Sequence, residues 1–158
     1  MRDLLPPGHV IDTNALVDLW RRWYPRDVFP TLWKRIEQMI TGGDLVAPRE
    51  VLGELKRQRD ELYRWAVAQK CFLALDEEQI AYVKDIMAKF PSLVDPNKTI
   101  PDADPFVIAL ALAKGWKVIT TEGPGGTSPR KRIPDVCRHY GINCLSLLDF
   151  FREKGWNF

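Results

Sequence analysis

No stretch limits the fold of this chain more than "DPFVIALALAKG", residues 104 to 115. Pro105 suits the first turn of a helix, Gly115 suits its end, and every residue from Phe106 to Ala113 is apolar. A helix that is apolar all round offers no face to water and has to be buried. The other segments supply what buries it. Short apolar runs alternate with amphipathic helical patterns. Val10 and Ile11 precede a helix over 14–23, and "DLVAP" (44–48) precedes a helix with Pro48 in its first turn. "WKVITTE" precedes the helix "IPDVCRHYG", and "INCLSL" precedes the helix "SLLDFFREKG". A helix over 28–40 stops at Gly42-Gly43, and two more, over 62–68 and 77–89, flank a short strand in "CFLALD". Residues 91–105, rich in Pro, Asp and Asn, form a loop. This alternation predicts an α/β fold, a three-layer α/β/α sandwich with a central mostly parallel sheet. With 158 residues, 46% of them hydrophobic, the chain is expected to form one domain over 1–158.

Sheets of this kind build their sites at the carboxyl ends of the strands, near a reversal of strand order. Asp12 ends the first strand and Glu122 ends "KVITTE", so both fall on that edge. Asp is a poor strand former and costly to bury unpaired, so Asp12 either caps the next helix or belongs to a site. Thr13 and Asn14 are rival caps. Asp104 before Pro105 has the form of an ordinary helix start, and Glu54 falls near the edge of the stripe formed by Val51, Leu52 and Leu55, where it can border a cleft or face solvent. Glu122 can also be a solvated loop residue.

Other chemistries fit poorly. Cys71, Cys137 and Cys144 form no CxxC pair, which speaks against a disulfide framework and a thiolate zinc site, and His9 and His139 are isolated. The GxxxxGK[ST] pattern of a P-loop is missing, and a haloacid-dehalogenase-type phosphatase needs an acid where the chain has Asn14. The net charge of +2 is too small to imply nucleic-acid binding by itself. No apolar stretch is long enough to span a bilayer and no secretory signal is visible, so the expected location is cytoplasmic, away from membranes.

Taken together, "VIDTN" (10–14), "REVLGEL" (49–55), "DADPFVIALALAKG" (102–115) and "KVITTEG" (117–123) resemble the PIN domain, a family of metal-dependent ribonucleases that includes VapC-like toxins of toxin-antitoxin modules. The family's acids match Asp12, Glu54 and Asp104, and the fourth falls on Glu122, where the family more often has Asp. Thr13, Asn14 and Thr120 stand as supporting residues. The "YPRDVFPTLWKRIE" region and the closing "IPDVCRHYGINCLSLLDFFREKG" look like a PIN branch catalogued as a domain of unknown function.

The resemblance implies a Mg²⁺- or Mn²⁺-dependent endoribonuclease. Such cations take oxygen ligands, and Mg²⁺ retains several waters, so a few converging carboxylates suffice. Asp12 and Asp104 are assigned as the most direct ligands, Glu122 as a ligand or water contact, and Glu54 as the group that positions water. Lys56 and Arg57, after Glu54, and Arg130, Lys131 and Arg132, after Glu122, would rim the acidic centre for an RNA substrate. The resemblance also implies a cognate antitoxin and a homodimer. Leu16, Leu19, Trp20 and Trp23, with Phe29, Leu32, Trp33 and Ile36, carry more apolar surface than a small sheet edge needs; they are expected either to contribute to the dimer contact or to be simply core. The alternative from another class is a catalytically inactive PIN-fold module that binds RNA or protein.

Overall fold

The computed structural model describes residues 8–98, 102–126 and 128–158. Five strands, β1 (His9–Ile11), β2 (Leu45–Pro48), β3 (Phe72–Leu73), β4 (Lys117–Ile119) and β5 (Cys144–Leu145), form one sheet in the order β3-β2-β1-β4-β5. Every pairing is parallel, with Val10 opposite Val46 on one side and Val118 on the other. Parallel neighbours need long crossovers, and helices provide them: α1 (Thr13–Val17), α2 (Pro30–Thr41), α3 (Arg49–Leu55), α4 (Glu61–Ala68), α5 (Glu77–Lys89), α6 (Asp104–Lys114), α7 (Ile133–Tyr140) and α8 (Leu147–Lys154). The result is the expected α/β sandwich.

α6 occupies the place its composition demands. It lies against β1, β2 and β4 and is flanked by α5 and α7, and Val107, Ile108, Ala109, Leu110 and Ala111 are all fully enclosed. Gly115 ends it at φ +70°, in the left-handed region that glycine enters without steric cost. In the opposite layer, Phe150 of α8 meets the buried His9 ring edge-on at 5.0 Å and Phe151 meets Tyr24 at 5.3 Å. The chain runs from β1 outward to β3, then returns to lay β4 on the other side of β1. The strand order therefore reverses between β1 and β4, and their carboxyl ends open a crevice there.

Several elements differ from the sequence pattern. Residues 14–23 do not make one α-helix, because α1 ends at Val17 and a π-helical turn continues over Asp18–Trp23, closed by the Tyr24 N–H on the Leu19 carbonyl at 3.0 Å. The wider winding makes room for Trp20, whose indole lies 4.9 Å from Trp33 and 5.7 Å from Trp65. α2 starts at Pro30, not at Val28, since Val28 and Phe29 turn back to the Pro25 carbonyl and Pro30 is preset for the first helical position. Pro48 is not in the first turn of α3; it pairs with Leu73 as the last residue of β2, and α3 begins at Arg49. The loop expected over 91–105 begins with a 3₁₀ turn, Pro91–Leu93, and ends early because Asp104 is already helical; its residues 99–101 lie outside the described residues.

The apolar faces of the first two helices are core, which corrects their expected role in a dimer contact. Leu16, Leu19, Leu32, Trp33 and Ile36 are buried within the single chain, and Trp20 and Phe29 pack against the same core. Of the eight residues only Trp23 is largely exposed, at 52%. Cys71, Cys137 and Cys144 are free thiols, and among the described residues no helix is long and apolar enough to cross a membrane.

Candidate active site

Asp12 answers both readings of its position. The strand delivers it to the crevice, where its N–H bonds the Ile119 carbonyl at 3.0 Å, and its extended backbone makes it the N-cap of α1. Oδ1 accepts the Ala15 N–H at 2.7 Å, and Oδ2 accepts the Thr120 hydroxyl at 2.6 Å. That hydroxyl accepts the Glu122 N–H at 3.1 Å, so the ends of β1 and β4 are tied through one carboxyl. Asp12 is only 1% exposed. Burial pushes its carboxyl up to about 7, against the two hydrogen bonds and with a further push from the Glu122 and Glu54 charges.

Capping does not occupy Asp104. The N-cap of α6 is Ala103, and Asp104 is the first helical residue, with no side-chain capping bond. Burial, followed by the Glu122, Asp12, Glu54 and Asp102 charges, pushes the Asp104 carboxyl up to about 8. Glu54, on the last turn of α3, faces the crevice and not open solvent. Its Oε1 accepts the Thr13 hydroxyl at 2.6 Å, and burial raises its pKa against that bond. Glu122 Oε2 accepts the first N–H of α7, from Ile133, at a long 3.4 Å.

Glu54, Asp104 and Glu122 line one polar cleft of about 110 Å³, together with Thr13, Asn14, Lys98, Asp102 and Arg130. Asp12 is not part of this lining; its carboxyl is tied to Glu122 through the Thr120 hydroxyl. Lys98 and Asp102 had no place in the sequence reading of the site. The Lys98 ammonium sits 2.5 Å from Asp102, which also accepts the Asp95 N–H at 2.8 Å. Burial works against ionisation of Asp102, but the Lys98 contact and the Asp95 N–H overcome it and hold the carboxyl below its ordinary value. The only sequence signal was the i, i+4 spacing of a Lys and an Asp inside a loop.

The expected basic rim is only partly assembled. Arg130 lines the cleft, while Lys131 and Arg132 do not. Their loop is pinned from behind: Asp135 takes the N–H groups of Gly125 and Arg132, each at 2.9 Å, and Ser92 takes that of Lys131 at 3.2 Å. A Cβ on Gly125 would stand 2.8 Å from the Arg130 carbonyl, so this glycine lets the loop close tightly enough to bring Arg130 over the acids. Lys56 and Arg57 are exposed in the turn after α3, with Arg57 near enough to favour ionised Glu54 and Asp102.

The donor set is all oxygen, as a hard cation requires, and burial, with a smaller push from the neighbouring acids, raises the Asp12 and Asp104 carboxyls. The side chains do not yet converge: among the described residues no three His, Cys, Asp or Glu side chains stand close enough to hold one ion. Mg²⁺, which keeps much of its water, is the cation least in need of such a cage.

The same architecture occurs in solved structures. A chain of the VapBC2 structure from Rickettsia felis, crystallised bound to a DNA fragment from their promoter, has a TM-score of 0.52 at 12% identity, covering 87% of this chain and 97% of that one. A chain of FitAcB from Neisseria gonorrhoeae has a TM-score of 0.50 at 16% identity, covering 87% and 96%. At these identities the likeness establishes a PIN-like fold. No curated protein matches the chain. The family described as Domain of unknown function (DUF4411) matches residues 9–158, and the chain belongs to that family.

Proposed function

We propose that the chain is a Mg²⁺- or Mn²⁺-dependent endoribonuclease, the toxin of a toxin-antitoxin module. One observation carries the reading: carboxyls from three distant segments, at 54, 104 and 122, line one cleft at the switch point of the sheet, with Arg130 and Lys98 in the same lining, and a fourth, at 12, is tied to Glu122 through Thr120. Asp12, Asp104 and Glu122 would hold the cation, which when bound polarises the phosphate and neutralises developing charge. Glu54, oriented by the Thr13 hydroxyl, positions the attacking water. Thr120 fixes Asp12, and Asn14 borders the substrate. Arg130 and Lys98 contact the phosphate, and Arg57, Lys56, Lys131 and Arg132 extend the positive path beyond the cleft.

Purified protein with Mn²⁺ and single-stranded RNA is expected to yield internal cuts that EDTA stops. RNA binding without cleavage would leave the binding-module alternative. Arg130 and Lys56 separate the two parts of the basic rim. Arg130→Gln should reduce the slope of log affinity against log salt by about 0.7, one single-strand phosphate contact, and Lys56→Gln should change it less. Equal slopes for both variants and the parent would assign Arg130 to plain surface. Asp102→Asn is expected to loosen the 95–98 turn while costing less cleavage than any change at Asp104, because Lys98 already neutralises Asp102.

The structural neighbours come from toxin-antitoxin complexes, which supports a cognate antitoxin and a homodimer here. An inhibitor with a basic side chain would find Glu54, Asp104 and Glu122 in the cleft, where its charge replaces that of the metal. Its binding is then expected to weaken as Mn²⁺ is added; indifference to Mn²⁺ would remove it from this site.

A further inference from the structure

The acidic cleft shares a wall with a second, larger cavity. This groove of about 510 Å³ runs from Trp23 and Tyr24, at the end of the π turn, past Pro124 to Leu148 at the start of α8. Glu122 lines both cavities, and Thr120, which holds Asp12, lines the groove. Among the described residues no Lys or Arg lines it, and Glu122 is its one charged residue. The groove suits the flat, uncharged part of a ligand whose charged part lies next door, beside Arg130 and Lys98.

Trp23 is built differently from its neighbours. Trp20 is locked between Trp33 and Trp65, and Tyr24 between Phe29 and Phe151, whereas Trp23 is 52% exposed. The π winding separates them: it turns through a smaller angle per residue than an α-helix, so three residues carry Trp23 farther round from Trp20, out of the core and onto the groove. Leu148, 51% exposed, lies along the same groove, and the Thr121 hydroxyl adds a polar group near Glu122.

We propose that this groove is a nucleobase subsite: with the phosphate over the carboxylate cleft, the base of the adjoining nucleotide lies against the Trp23 indole. The proposal rests on the ribonuclease reading of the cleft. An indole face accepts any base by stacking, and continuity with the cleft through Glu122 gives the ligand one path across both cavities.

The test uses the full chain in EDTA, where cleavage does not enter, and two probes of equal length and charge: a labelled five-nucleotide single-stranded RNA and the corresponding abasic ribose-phosphate oligomer. The RNA is expected to bind more tightly than the abasic probe. Trp23→Ala should weaken RNA binding about tenfold and leave the abasic probe unchanged, and Trp23→Phe should recover most of the loss. Leu148→Ala provides a second variant outside the catalytic groups. Equal binding of both probes, or RNA affinity unchanged by Trp23→Ala, overturns the subsite; so does loss of a protein partner, and not of RNA, in that variant. Base-dependent binding by a chain that never cuts RNA in Mn²⁺ keeps the subsite and removes the nuclease reading. Cleavage with no dependence on Trp23 does the reverse.

Discussion

Asp104→Asn is expected to lose at least about a hundredfold in Mn²⁺-dependent RNA cleavage while keeping the fold. Outer-shell partners of metal ligands already cost about 10- to 100-fold when changed, and a ligand should cost no less. The side chain caps nothing, so the amide disturbs no capping bond. Asp12→Asn should lose comparable activity; the Thr120 hydroxyl then loses its carboxylate acceptor while the Ala15 N–H keeps an oxygen. Cleavage rates and thermal melts on the same preparations check both. Near-parental rates for Asp104→Asn at limiting Mn²⁺ would remove Asp104 from the metal site.

The second large effect is on stability and has a defined sign. Asp104 ionises near 3.8 when unfolded and at about 8 in the folded, metal-free chain, so the folded state binds the proton more tightly. Below about pH 4 the carboxyl is protonated in both states and contributes no difference. As pH rises toward 8 the unfolded chain ionises first, and the metal-free protein loses stability across that window. Asp12, at about 7, acts in the same direction, whereas His9, whose pKa burial lowers, acts in the opposite direction as pH falls. Comparison with Asp104→Asn removes the contributions the two proteins share. The variant should melt with the parent at pH 4 and above it by several degrees at pH 8, at about 2–4 °C per kcal/mol for a domain of this size. Mn²⁺ at about 100 times its Kd should then stabilise the parent by about 2.7 kcal/mol and the variant much less. Equal melts for parent and variant at pH 8 without metal would mean that burial does not hold the Asp104 carboxyl above its ordinary range.

What the sequence revealed depended on how local the cause was. "VIDTN" and "DADPF" could be read because a strand end and a helix start are set by neighbouring residues, and both delivered their acids to the crevice. Glu54 was ambiguous because its helical position alone did not distinguish cleft from solvent; the Thr13 hydroxyl, 41 residues away, makes the difference. Lys98 and Asp102 could not be placed, since they depend on how a Pro-rich loop folds back. The π turn was hidden because over six residues its apolar spacing reads as ordinary helix. The expected dimer face failed because a count of apolar residues does not show what covers them. Trp65 covers Trp20 and Trp33, and Phe151 covers Tyr24.

The central strand is the first to be made, but its Thr120 partner comes 108 residues later. At about 5–20 residues per second, a ribosome spends roughly 5–20 s between the two. Until then Asp12 has no Thr120 to hold its outer oxygen and β1 lacks one of its two neighbours, so the carboxylates from the first half of the chain have no finished cleft to enter. The site is therefore timed by topology: its lining is complete only once the segment carrying Glu122 and Arg130 has been made.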